Sequence, residues 1–110
     1  MDIKQKDLIK FWTWCGFEKS KLKYIDGNFQ FPQEPLRWIG LPLSLDRIYE
    51  FAIPKLQKEG IVIELSSVRY KGFTAKVIQA NGYSSLALKI YDSPTEALFN
   101  AIMKVIENDK

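Results

Sequence analysis

A change of apolar period at Gly60 constrains this chain more than any other feature. Before it, Leu45, Ile48, Tyr49, Ala52, Ile53 and Leu56 recur at i, i+3, i+4, i+7, i+8 and i+11, the spacing of one helical face. After it the period is two. Ile61, Ile63 and Leu65 alternate with Val62, Glu64 and Ser66, Phe73, Ala75 and Val77 with Thr74, Lys76 and Ile78, and Leu86, Leu88 and Ile90 with Ala87, Lys89 and Tyr91. Three strands are predicted. The links Tyr70-Lys71-Gly72 and Asn81-Gly82 are turns too short for a crossover, so neighbouring strands must pair antiparallel. Glu64, Lys76 and Lys89 share the second face of this sheet, which reads as wet.

Helices are expected on either side of these strands. Ser44 is placed to cap the helix before Gly60, and Pro54 lies inside it, where its missing amide should bend the axis. By the 100° step Phe51 falls on the outer side of that helix. Ser93-Pro94-Thr95-Glu96 opens the last helix with a capping serine, a first-turn proline and a glutamate three residues after the cap. Its apolar face, Ala97, Leu98, Ala101, Ile102, Val105 and Ile106, is widened by Phe99 and Met103 beyond what one sheet contact needs. Near the N-terminus, Leu8, Phe11, Trp12 and Cys15 mark a helix from about Lys4 to Cys15 with Gly16 as its stop, and Ile9 and Trp14 lie off the stripe. Between residues 19 and 43 no helical period survives Pro32, Pro35, Pro42, Gly27 and Gly40. That segment is either a hairpin turning at Asp26-Gly27-Asn28 or a long loop laid over the core. The fold class is therefore α+β. The expected order is helix, irregular or hairpin segment, then α-β-β-β-α, with an antiparallel sheet of three or more strands packed by helices. One domain is expected over 1–110, with residues 1–43 as a basic aromatic segment and 44–107 as the core.

Composition excludes several chemistries. With no histidine and one cysteine, the chain by itself can build neither a Ser-His-Asp or Cys-His nucleophile pair, nor a His/Cys zinc site, nor an internal disulfide. No glycine-rich phosphate loop or EF-hand pattern is present, and Glu34, Asp46, Glu50 and Glu64 fall at no spacing that forces a shared site. The expectation is a protein that is not an enzyme, with no catalytic residues, metal or cofactor. Lone-cysteine usage and the want of an apolar run or leader pattern point to the cytoplasm, with no membrane partner.

The charge is unevenly placed. The whole net +3 belongs to residues 1–23, where six lysines face Asp2, Asp7 and Glu18, and the remainder is neutral. Eight of the fifteen aromatic residues, every tryptophan included, fall in the first 40 residues. Lys4, Lys10, Lys19, Lys21 and Lys23 are thus candidate contacts to a nucleic-acid backbone, with bases stacking on Trp12, Trp14 or Trp38. The bland alternative makes Trp12 core, Trp38 a lid and the lysines a solvated face. For a protein partner or self-association the candidate surface is Trp14, Trp38, Phe51, Phe99 and Met103, provided that Phe99 and Met103 stay exposed beside Ile106. Cys15 reads as a small buried residue rather than a reactive thiol.

Two resemblances bear on this reading. Pro42-Leu43-Ser44-Leu45-Asp46, Gly60 leading into strands, and Asp92-Ser93-Pro94-Thr95-Glu96-Ala97-Leu98-Phe99-Asn100-Ala101 resemble the phage α-β-α (ABA) sandwich family of small phage and prophage proteins. The Trp12-Thr13-Trp14-Cys15-Gly16-Phe17 run is similar to the segment often preceding that domain. The resemblance covers about two thirds of the chain and implies a sandwich fold, a phage or mobile-element origin and no assigned chemistry. It would also put a helix over the second sheet face. The helix, three antiparallel strands and helix from residue 44 also resemble the double-stranded RNA-binding domain, with Gly72-Phe73-Thr74-Ala75-Lys76-Val77 similar to its second strand. The stretch that would match that family's lysine-rich helix start is here the acidic Asp92–Glu96, and its loop histidine has no counterpart.

Overall fold

A computed structural model describes residues 3–25, 27–34, 37–79, 84, 85 and 89–108. Helix α1 (Gln5–Cys15) ends as the sequence requires. Gly16 adopts φ 115°, its amide bonds to the Thr13 carbonyl and the Phe17 amide to that of Trp12. This paired closure commonly brings a hydrophobic contact with it, and the Trp12 and Phe17 rings meet edge to face at 5.9 Å.

The chain then forms a three-stranded antiparallel meander, β1 (Lys23–Ile25), β2 (Asn28–Glu34) and β3 (Arg37–Leu41). Of the two readings left open for residues 19–43, the hairpin is the one observed. Ile25 pairs with Asn28 across Gly27, whose φ of 87° suits a tight reversal. Strand β3 went unrecognised in the sequence. Pro32 within β2 argues against a central strand, but β1 covers β2 only from Asn28 to Gln30, and the β2–β3 register shifts between Pro32 and Glu34. A proline sits where the sheet is one partner short and bulged, so it breaks no regular ladder.

Next come α2 (Leu45–Arg47), a π turn (Ile48–Ala52) and α3 (Ile53–Lys58) in one continuous helical stretch. Ser44 Oγ accepts the Arg47 amide at 3.3 Å, the expected cap. Ahead of Pro54 the helix widens, and the Ile53 amide reaches back five residues to the Ile48 carbonyl. Phe51 is not outside. It is half-buried, with Phe17 at 4.9 Å and Trp12 at 6.4 Å, because the end of α1 closes over that side of the helix.

Strands β4 (Ile61–Val68), β5 (Gly72–Gln79) and β6 (Ser84–Ser85) form a second antiparallel meander, closed by α4 (Pro94–Asn108). The alternation of β4 and β5 was read correctly, and Glu64 lies directly opposite Lys76, whereas the third strand, expected from Leu86 to Tyr91, is described as the two residues Ser84–Ser85, with Lys89 and Ile90 outside any strand. Leu86, Leu88 and the Asn81-Gly82 turn lie outside the described residues, as does Asp26. Tyr91 returns to β5 as a bridge to Phe73. At the start of α4, Ser93 Oγ accepts the Glu96 amide at 3.1 Å.

Two apolar clusters share α4. Leu98, Phe99, Ile102, Met103 and Ile106 join Phe11 and Trp12 of α1, Ile48, Ala52 and Leu56 of the central helix, and Phe29 and Leu41 of the first meander. Ala97 and Ala101 pack on Ala75 and Val77 of β5. This double burial explains the breadth of the apolar face on α4. It also departs from an α/β/α sandwich, since Val62, Glu64 and Ser66 on the second face of β4 are exposed. The Glu64 and Lys76 charges, directly opposite each other, would lose hydration under a helix.

Candidate functional site

The structure separates the proposed surface residues. Phe99 and Met103 are buried, Phe99 with its ring 5.1 Å from that of Phe11, so the last helix offers no exposed apolar strip at these positions. Phe51 is half-buried under Phe17. Trp38 is exposed and Trp14 is half-buried against the core, and each has a lysine over its ring.

Trp14 lies off the core stripe of α1 and packs, half-buried, against the core cluster. It stands in an open groove of about 740 Å³ lined by Ile9, Trp14 and Ile106, with Lys6, Lys10 and Lys19 at its margins and Asp7 and Glu107 among them. Lys55, from α3, places its Nζ 4.6 Å from the centre of the Trp14 ring and donates to the Trp14 carbonyl oxygen. Nothing local to Trp14 points to Lys55, because it arrives from 41 positions away. Lys4 lies instead at a separate depression, whose lining also includes Tyr91, Glu96 and Lys89.

Trp38 belongs to a different surface. The meander register puts Phe29, Phe31, Ile39 and Leu41 on one face and Lys23, Gln30, Pro32, Trp38 and Gly40 on the other. The first face meets the core. On the second, Trp38 is 47% exposed, directly across from Pro32, and the Lys23 ammonium stands 5.0 Å from its ring centre. Gly40 lies two residues along the same strand and face, and a methyl group built on it would meet only Pro42, at 3.8 Å. The patch beside the ring is therefore flat. An exposed lysine over an aromatic ring is worth about 0.5–1 kcal/mol, less than the ~1–3 kcal/mol of a stacked planar base, so the ring can be uncovered by a planar ligand.

The 3₁₀ turn Lys19–Lys21 links the two surfaces in the chain, with Lys19 at the groove and Lys23 at the Trp38 ring. These lysines are four positions apart in the chain, which limits their Cα distance to about 14 Å. Lys21 is exposed and pairs with Glu18 at 3.4 Å, a surface contact of little energetic weight. A further surface aromatic, Tyr70, was read only as part of a turn. It is 91% exposed at the β4–β5 tip and has φ 61°, with Arg69 stacked on its ring.

Cys15 is no nucleophile at neutral pH. Burial pushes its thiol up to about 12, outweighing the opposing Lys55 charge, so the thiolate is scarce. Among the described residues, no three His, Cys, Asp or Glu side chains gather as a metal site would require, and no helix is long and apolar enough to cross a membrane. What the surface does present is two tryptophans among lysines, an arrangement suited to holding a ligand with negative charge and flat or apolar groups. No family model matches the chain, and no curated protein or solved structure is significantly similar to it.

Proposed function

We propose that this protein is a non-enzymatic accessory protein of the phage or prophage type, working in the host cytoplasm by binding another macromolecule through its basic, aromatic N-terminal third. The Trp14 groove carries the reading. It combines an apolar floor of Ile9, Trp14 and Ile106 with Lys6, Lys10 and Lys19, a mixture suited to anchoring an anionic partner. With Phe99 and Met103 in the core, docking falls to α1 and the segment after it. The phage-type origin in this proposal is supported by the resemblance of the chain to small phage proteins.

Affinity capture from host lysate, with and without nuclease, tests this. A partner retained by the intact protein should be lost from a Trp14→Ala, Lys10→Glu double variant that still folds. A turnover by the isolated protein that disappears on changing one polar residue would overturn the proposal.

A second reading, a weak nucleic-acid-binding module, is favoured by the Lys23–Trp38 pair. It uses Lys10, Lys19, Lys21 and Lys23, with Lys4 apart from them. Duplex RNA held at the start of α4 fits poorly, since Asp92 and Glu96 occupy the positions where phosphate would sit. Binding of this kind should weaken steeply with added salt.

A further inference from the structure

From the outer face of the first meander we infer a platform for single-stranded nucleic acid, on which a base stacks on Trp38 and the adjoining phosphate is held by Lys23. This rests on the reading of the protein as a nucleic-acid-binding module and names its ligand class and site. Three observations meet there. Trp38 presents a half-exposed ring on a sheet face instead of burying it, although the opposite face of the same sheet packs into the core. Its strand-mates leave that ring accessible, with Pro32 across from it and Gly40 beyond it. The charge on the face is positive. Lys23 is in place over the ring, Gln30 pairs with both Lys23 and Gly40 in the register, and no carboxylate is present among the described side chains of this face.

The occupant follows from this chemistry. An unpaired base offers a flat ring to Trp38 and a phosphate one bond series away to Lys23, which would swing from the ring to the phosphate as the base arrives. A duplex keeps its bases stacked inside and can use only the lysines. An acidic peptide satisfies the lysines and leaves the indole unused. Lys19 and Lys21, just before β1, extend the cationic path toward the Trp14 groove, so a strand of several nucleotides has contacts beyond the first.

The test is fluorescence anisotropy of labelled oligothymidylate and oligouridylate at several salt concentrations, with a duplex of equal length and unlabelled polyglutamate as competitors. Single strands should bind more tightly than duplex. Trp38→Ala should weaken them roughly 5- to 150-fold, and Trp38→Phe much less. Lys23→Gln should lower the slope of log K against log salt by about 0.7, the share of one phosphate contact. Equal affinity for duplex, competition by polyglutamate at matched charge, or a folded Trp38→Ala variant that binds as the intact protein does would each overturn the inference. If single strands bind but only Trp14→Ala and Lys10→Glu weaken them, the platform is wrong and the nucleic-acid reading stands. If no oligonucleotide binds at low salt, the nucleic-acid reading falls with the platform, while loss of a nuclease-resistant partner on the same groove changes would leave the broader binding function intact.

Discussion

The two meanders have the same topology and are built from different materials. The second, β4–β6, is built on the period-two runs of β4 and β5 and turns one face to α4 through Ala75 and Val77. The first, β1–β3, reaches the core with Phe29 and Leu41, carries a proline at a bulge and keeps a tryptophan on its outside. Small inward residues let β5 approach α4 closely, so that sheet is a structural layer. Large aromatic residues on both faces of the first meander give it two tasks, closing the core and facing a partner. The difference teaches that a similar number of strands can serve packing in one place and display in another, with the outward residues marking which.

The sharpest way to break this comparison is to treat the first meander as a mere cover. Phe29 is buried and in contact with Tyr24 at 4.9 Å, so Phe29→Ala should cost about 3–5 kcal/mol in denaturant unfolding. A loss under ~1 kcal/mol would show that the first meander is dispensable to the core. Next in size is a backbone test of the second meander. At Gly72, φ 134°, an added Cβ would come 2.2 Å from the Tyr91 carbonyl oxygen, whereas at Gly16, φ 115°, nothing lies within 4 Å. Gly72→Ala should therefore lose roughly 3 kcal/mol or more and Gly16→Ala about 1–2 kcal/mol by thermal or denaturant melting.

The region around α1 should also be the more sensitive to alkali. The folded state holds the Cys15 proton up to about 12, while an unfolded thiol releases it near 9. The folded state therefore binds more protons across that window, and its stability is complete below pH ~9 and falls as pH rises toward 12. The slope is at most about 1.4 kcal/mol per pH unit. Comparing Cys15→Ala with the intact chain in unfolding curves from pH 8 to 11 should show a flatter decline in the variant. The smallest effect belongs to the wet face of the second meander. Glu64→Lys puts like charge opposite Lys76 and should cost about 0.2–1 kcal/mol, shrinking with salt. A larger, salt-independent loss would mean that this face is covered after all.

The helix ends and the second meander were largely legible because their signals are local. Ser44 and Ser93 cap helices through amides three residues away, Gly16 ends α1 through its own φ, and the period-two runs place Glu64 opposite Lys76. The first meander was only half legible. Its hairpin has a turn signal at Gly27, but Arg37–Leu41 has no clean alternation to set against Pro32 and Gly40. The candidate site was legible as composition alone. Lysines and tryptophans were visibly concentrated near the N-terminus, yet which tryptophan faced water was not, because burial depends on which elements come to lie over a ring.

The sequence by itself determined the α+β class, the helix ends, the antiparallel pairing and the exclusion of histidine chemistry, each of which depends on neighbours a few residues apart or on residue types simply present or absent. Only the tertiary structure decided that α4 is buried by two clusters, that Phe99 and Met103 lie in the core with Phe51 half-buried against it, and that Lys55 comes to Trp14 and Lys23 to Trp38. Those outcomes rest on contacts between distant segments, where the burial of each apolar face is fixed by what the rest of the chain has left uncovered.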